Sequence, residues 1–413
     1  MEYDPQTVNK GIYIQVFYKM TWSSRDLVSF ILYFVFLTTI SIIDISFQYS
    51  VLIGGVIVII WMSLLRGSWP KFEFIDLIAI ILLFSWLYGF SLGIFKSNNL
   101  LGVVRNFAGL LFYLVYFFMV FSGITRSKLL KVLVNAGILY LIISLFLGAI
   151  NFLNRDLITF DEFGSSSIRF YYSVGQLILI PSLFIFLAGS SPSLRSDFDS
   201  LAIVNRNNLV IIGIIISLIF SGGKGFYLEL ICLFVLFFSL SFVRFITKGI
   251  LGYWSLFWLI TFAAVGMYLF SEIISIILSL GIMEFDANHP RVIQSKALIE
   301  DFTWFGKGLG GTVPNYSRDL LGYGFELSYH NIVHKFGIIS LFIFGSFMLP
   351  IFYSLCSIFL RPNKVYSYLP LIFMLYLLPA WGNPMIFSPV CVLLHCLALY
   401  FIRLDKFKRT MNV

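Results

Sequence analysis

Charge is what this sequence has least of. Only 12% of its 413 residues are Asp, Glu, Lys or Arg, about half the share that the surface of a soluble domain carries. With 59% hydrophobic residues and a mean hydropathy of +0.94, that deficit excludes a soluble globular protein and calls for a surface that faces lipid. Cysteine is scarce as well. Cys232, Cys356, Cys391 and Cys396 all lie in apolar stretches, a distribution that excludes a disulfide framework or a cysteine-based metal centre and fits small packing residues. A nucleotide loop is also missing. In Gly306-Lys307-Gly308-Leu309-Gly310-Gly311 the lysine precedes glycine where a phosphate loop needs Ser or Thr, and no strand pattern leads into it. The run reads instead as a tight, backbone-exposed turn near lipid headgroups.

What is present is long apolar runs. A helix needs about 20 apolar residues to cross a bilayer core, and by that measure spans fall near 27–47, 50–65, 74–95, 100–122, 130–150, 171–189, 208–220, 226–242, 251–271, 334–358, 367–381 and 386–403. The expectation is an all-α polytopic membrane bundle of about 12 transmembrane helices. It forms a single domain over 1–413, with outer loops at 151–170 and 272–333, the larger holding short helices. The first 27 residues are polar or mixed and the next apolar run is long enough to stay in the membrane, so no cleaved leader is expected.

The net charge of +8 suits cytoplasmic loops better than nucleic acid, because membrane proteins gather Lys and Arg inside. With the N-terminus inside, every cytoplasmic loop carries at least two basic residues, among them Arg66, Lys71, Arg126, Lys128, Arg361 and Lys364. Both termini are then cytoplasmic. The exceptions are Lys96, Arg105, Arg155, Arg169, Lys224, Arg291, Lys296, Lys307, Arg318 and Lys335. Several of these gather between 291 and 335, in and just after the large outer loop, which suggests an anionic ligand at the outer surface.

Within that loop, Val292, Ile293, Leu298, Ile299 and Phe302 recur at helical spacing, predicting a short amphipathic helix that either lies in the interface or packs on the bundle. Glu326, His330 and His334 would share one face of a continuous helix. A histidine beside a carboxylate in a cationic loop can serve as a base or a proton donor near neutral pH. Arg105, inside an apolar span, should be paired or line a cavity. Glu229 reads equally as cavity-facing or as a structural ion pair, and His395 as a satisfied packing residue.

Four stretches in the second half of the chain resemble the O-antigen polymerase (Wzy) and O-antigen ligase superfamily of polytopic glycosyltransferases. They are Ser221-Gly222-Gly223-Lys224-Gly225; Arg291 with the amphipathic stretch and Gly306-Lys307-Gly308; His330-Asn331 followed by Gly337; and Asn383-Pro384 with Phe387-Ser388. One departure is that the family's arginine in the first turn is Lys224 here, which binds phosphate as a point charge without a bidentate fork. The resemblance implies a bacterial inner-membrane polymerase. It would move a growing glycan from undecaprenyl diphosphate to a lipid-linked repeat unit on the outer face, without metal or cofactor. His330 would be the base, with Glu326 its competitor, and Arg291, Arg169, Lys224 and Arg318 would bind the diphosphate. Implied partners are the undecaprenyl-diphosphate-linked oligosaccharide, membrane lipids, a chain-length regulator and a flippase, with no nucleic acid. A ligase that passes glycan to lipid A-core uses the same donor, and a transporter or flippase without chemistry is the alternative from another class.

Overall fold

The computed structural model describes residues 71–153, 174–190, 194, 208–221, 224–248, 290–314, 316, 325, 327–383 and 385–411. Every regular element among them is helical. These are α1 (Phe74–Phe95), α2 (Leu100–Ser122), α3 (Arg126–Leu153), α4 (Leu179–Ser190), α5 (Asn208–Phe220), α6 (Lys224–Lys248), α7 (Pro290–Glu300), α8 (Ser328–Phe336), α9 (Ser340–Leu360), α10 (Leu369–Phe373), α11 (Leu377–Ala380) and α12 (Pro389–Met411). Among the described residues no strand forms, and one isolated bridge joins Val313 to Tyr316.

Among the described residues five stretches are long and apolar enough to cross a membrane: α1, α2, Arg126–Ile150 of α3, Gly225–Arg244 of α6, and Ser328–Leu360, which joins α8 to α9. Their outer faces are apolar too. On α1, Phe74, Leu77, Ile81 and Phe84 are exposed at three- and four-residue spacing, a stripe that water would penalise and lipid accepts. The chain is therefore built as a membrane-embedded helical protein.

Hydropathy places α1, α2 and α5 at the bounds expected of them, and the runs at 130–150, 226–242 and 334–358 extend by a few residues into α3, α6 and α8–α9. The run at 171–189 enters through a tight 3-10 segment, Val174–Ile178, before α4. The run at 367–381 departs from a continuous span. It breaks into α10 and α11, two short pieces joined by a turn, in a stretch where Pro370 and Pro379 each remove a backbone donor. The spans expected at 27–47, 50–65 and 251–271 lie outside the described residues.

α12 is the hub. From Val390 to Ile402 its side chains are almost wholly buried, and α1, α2, α9 and α10 pack around it. At its middle His395 Nδ1 meets the Tyr113 hydroxyl at 2.7 Å and Nε2 meets the Ser346 carbonyl at 3.1 Å. A carbonyl can only accept, so Nε2 carries the proton and Nδ1 accepts from tyrosine. His395 is thus a satisfied packing residue.

Polar side chains gather at the two ends of the bundle. At one, Arg403 Nε donates to Asp76 Oδ1 at 2.9 Å, the Tyr116 hydroxyl donates to the same oxygen at 2.5 Å, and Arg403 also donates to the Lys71 carbonyl. Beside them Asp405 accepts from Arg126 and Arg361. At the other end Lys96 donates to the Gly306 carbonyl at 2.7 Å. The contacts group Lys71, Arg126, Arg361 and Arg403 apart from Lys96 and Lys307, the same partition that charge sorting makes.

Candidate functional site

Two short helices build the candidate site. α7 and α8 lie alongside one another and run in the same direction, as three contacts show. Gln294 Oε1 accepts from the Leu327 N–H at 3.1 Å, Ser295 Oγ meets His330 Nε2 at 3.2 Å, and Asp301 Oδ2 meets His334 Nε2 at 2.8 Å. α7 therefore packs on the bundle through Gln294 and Leu298 while leaving Ile293 and Ile299 exposed. Helix formation begins at Ser328, with Leu327 as the cap, so the face shared by His330 and His334 starts inside α8.

His330 lines an open, otherwise apolar groove of about 400 Å³ between α7, α8 and α9. Leu298, Ile299, Phe302, Tyr329, Val333 and Phe344 complete its lining. Arg291 lies one turn before Ser295 on α7, hence on the side of that helix that meets His330. Its guanidinium donates to the Gly382 carbonyl at 3.1 Å, where a Cβ on Gly382 would come within 3.1 Å of it. An exposed cation and a half-buried imidazole are thus carried on adjoining helices beside one apolar groove.

Below the groove sits a denser cluster. Asp301 accepts from Lys307 Nζ at 2.6 Å as well as pairing with His334. Burial alone would raise the Asp301 carboxyl, but the hydrogen bonds and charges of Lys307 and His334 together outweigh it and hold the carboxyl below its ordinary value. Lys335, fully buried, donates to the Asn106 side-chain oxygen and lies 5.3 Å and 5.8 Å from the ring centres of Phe387 and Phe325, an arrangement that desolvates an ammonium between aromatic faces.

The glycine run closes this cluster, and here the expected exposed turn is corrected. Gly306, Gly308 and Gly310 take φ of +75°, +79° and +70°, backbone that only glycine enters freely, but the run is buried. Lys307 N–H donates to the His334 carbonyl at 2.8 Å, Gly308 N–H to that of Lys335 at 2.9 Å and Leu309 N–H to that of Gly89 at 2.8 Å. Asn98 holds the Lys307 and Leu309 carbonyls. A Cβ on Gly308 would stand 2.3 Å from the Gly93 nitrogen. The amides are spent on α1 and α8, so the turn is a clasp and not a ligand cradle.

Of the residues that sequence reasoning puts in the site, Arg291 and His330 lie on adjoining helices, His330 in the groove lining and Arg291 on the Gly382 carbonyl. Lys224 is the first residue of α6. Glu326, Arg169 and Arg318 lie outside the described residues. Arg105, expected to be paired or to line a cavity, lies near the start of α2 at the Lys96 end, with its side chain partly in the open but not without a partner. Among the described residues no group of three or more His, Cys, Asp or Glu is placed to hold a metal ion. Asp197-Phe198-Asp199, a pair of carboxylates at Asp-x-Asp spacing that a metal-independent reading passes over, lies outside the described residues.

Asp301 and Asn106 are the members sequence reasoning missed, and His334 and Lys335, though named from the sequence, were given no role in the cluster. The signal available was that His334 and Lys335 begin an apolar span, where such side chains need partners. Compared with known proteins, the chain matches no family model and no curated protein.

Proposed function

We propose that this chain is a surface-glycan polymerase of the inner membrane, acting on sugar chains carried by undecaprenyl diphosphate at the outer face. The observation that carries the reading is that Arg291 on α7 and His330 on α8 are carried by adjoining helices, with His330 in the lining of an open apolar groove. A lipid-linked donor has an apolar tail, an anionic diphosphate and a sugar, and those three parts match the groove, the cation and the imidazole. The phosphate contact would be charge-assisted, the stronger kind of hydrogen bond.

In the reaction His330 takes the proton from an acceptor sugar hydroxyl. That oxygen forms the new bond to the donor's anomeric carbon while the bond from the carbon to the diphosphate breaks. Undecaprenyl diphosphate leaves with its electron pair, and Arg291, aided by Arg169, Lys224 and Arg318, stabilises the charge that develops on it. Glu326 is the competing base.

The test is reconstitution in liposomes with lipid-linked repeat units as sole substrate. Longer lipid-linked chains are expected, and their absence under every lipid composition tried would overturn the reading. A ligase acting on lipid A-core uses the same donor and separates in a deletion strain, which would lose all attached repeats instead of keeping a single one. Transport without chemistry draws support from one observation, the broken run α10–α11 beside the buried Glu229, features also found at ion sites of transporters.

A further inference from the structure

Among the described residues, Glu229 is a buried carboxyl group whose surroundings neither the groove nor the cluster at Asp301 explains. It sits in the second turn of α6, 1% exposed, and both carboxyl oxygens lack a hydrogen-bond partner among the described residues. The reason is visible in the neighbouring elements. α6 packs against α4, α5 and α11. α4 reads LIPSLFIFLAGS, α5 NLVIIGIIISLIF and α11 LLPA, so none of the three carries an ionisable side chain. Among the described residues, the titratable groups near enough to feel a charge on Glu229 are two thiols, Cys232 on its own helix and Cys391 on α12. Thiols are weak donors and carry no positive charge to offset a carboxylate.

An ionised carboxylate with no counter-charge and no donor is among the most costly groups to bury, and such a group neutralises instead. A bound metal cation needs several oxygen ligands around it, whereas a proton needs one. We propose that Glu229 is a proton-binding site: a carboxylic acid that keeps its proton in the packing seen here and exchanges it when the broken segment moves off α6.

The segment is what gives the site a consequence. Gly225, one turn before Glu229, lies so close to α11 that a Cβ there would come within 2.3 Å of Pro379 Cβ. From the other side the same segment is gripped by residues of the groove helices. Tyr329 donates to the Leu377 carbonyl, Arg291 to that of Gly382 and Ser328 to that of Asn383. Residues 377–383 thus stand between Glu229 and the α7–α8 pair. Loss of the proton would place an uncompensated charge against α11, and its escape to water requires that segment to shift, carrying the carbonyls that Arg291, Ser328 and Tyr329 hold. Proton binding is coupled in this way to the geometry beside the groove, whatever reaction occurs there.

The test needs no sugar substrate. In the purified full chain, the infrared carbonyl stretch of a protonated carboxylic acid is expected at neutral pH and is lost in Glu229→Gln. Dicyclohexylcarbodiimide, which adds to protonated carboxyls in apolar surroundings, should label Glu229 in the wild-type chain, as mapped by mass spectrometry, with labelling that falls as pH rises. Because glutamine has nearly the shape of a protonated glutamate, the variant should shift the thermal midpoint by no more than about 2 °C. The proposal is overturned if the wild-type chain shows only ionised-carboxylate bands and no label on Glu229. It is equally overturned if Glu229→Gln fails to accumulate or melts far lower, since either would mean that a negative charge is paired there.

Discussion

The two ends of the bundle solve the same problem in different ways. At the Arg403 end, guanidinium groups face carboxylates. Arg403 holds Asp76 with Tyr116 on the same oxygen, and Asp405 takes both Arg126 and Arg361. At the α7–α8 end, Lys96 donates to the Gly306 carbonyl, Arg291 to that of Gly382 and Lys335 to the Asn106 amide. These described contacts are to neutral acceptors, and among the described residues one carboxylate, Asp301, serves Lys307 and His334 together. A pair that neutralises itself has no use for a ligand. On the proposed function the second end meets an anionic ligand, as cations gathered on one face would favour. The comparison thus sets a clamp at the first end against a proposed receptor at the second, and each substitution below is a way to break that contrast.

The largest effect is expected from His330→Ala, which should abolish chain extension in reconstituted liposomes while the protein stays in the membrane. Normal polymer from that variant would remove the imidazole from the chemistry. Arg291→Ala should be nearly as damaging, and Arg291→Lys decides what is being read: retained activity means that charge suffices, and its loss means that the planar fork is needed. At the clamp end the damage should fall on stability instead. Arg403→Ala strands Asp76, whose side chain is 5% exposed, and removing one member of a buried pair costs about 3–5 kcal/mol. A lower thermal midpoint with unchanged activity per folded molecule is the expected result. Tyr116→Phe removes one donor from the same carboxylate and should cost about 1–2 kcal/mol.

A smaller effect tests the clasp between α1, α8 and the glycine turn. Gly308→Ala must enter φ +79° and place a Cβ 2.3 Å from the Gly93 nitrogen, a strain of about 1–3 kcal/mol before any repacking. The expected signature is faster proteolysis at the turn between α7 and α8. A variant as resistant as wild type would show that the turn is looser than its hydrogen bonds indicate.

How much of this was legible in the sequence differs between fold and site for a physical reason. Spans such as Phe74–Phe95 and Leu100–Ser122 are continuous apolar runs of the length a bilayer demands, so hydropathy finds them. The break at 367–381 was less legible because averaging over a window hides Pro379, whereas Pro370 lies in the first turn of α10, where proline is tolerated. The site depends on which short helix lies against which. Gln294 with Leu327, Ser295 with His330 and Asp301 with His334 are separated by more than 30 residues, and no local periodicity encodes such pairings. The candidates His330 and Arg291 could still be picked out, because a histidine beside a carboxylate and an arginine that breaks the charge pattern are each visible alone; their roles are what the variants test. The glycine run showed the opposite failure: the residues were plain, but what covers them, Gly89, Gly93 and Lys335, comes from elsewhere in the chain.

The smallest and most specific effect is at Asp301, the carboxylate of the receptor end. Burial would raise its carboxyl, and the hydrogen bonds and charges of Lys307 and His334 bring it below the ordinary value, so the folded state binds this proton less tightly than the unfolded chain. The sign follows from linkage. Stability from the Asp301 cluster is fully present above the unfolded carboxylate value of about 3.9 and is lost as pH falls through the lower folded value. Asp301→Asn cannot carry the charge at any pH. The gap in thermal midpoint between wild type and this variant should therefore stay level from neutral pH to about pH 5 and close below about pH 4. A gap that persists into acid would mean that shape and hydrogen bonding, not charge, hold α8 to the glycine turn. The receptor end would then be clamped as the other end is, and its contrast with the Arg403 end would narrow to Arg291 and Lys335.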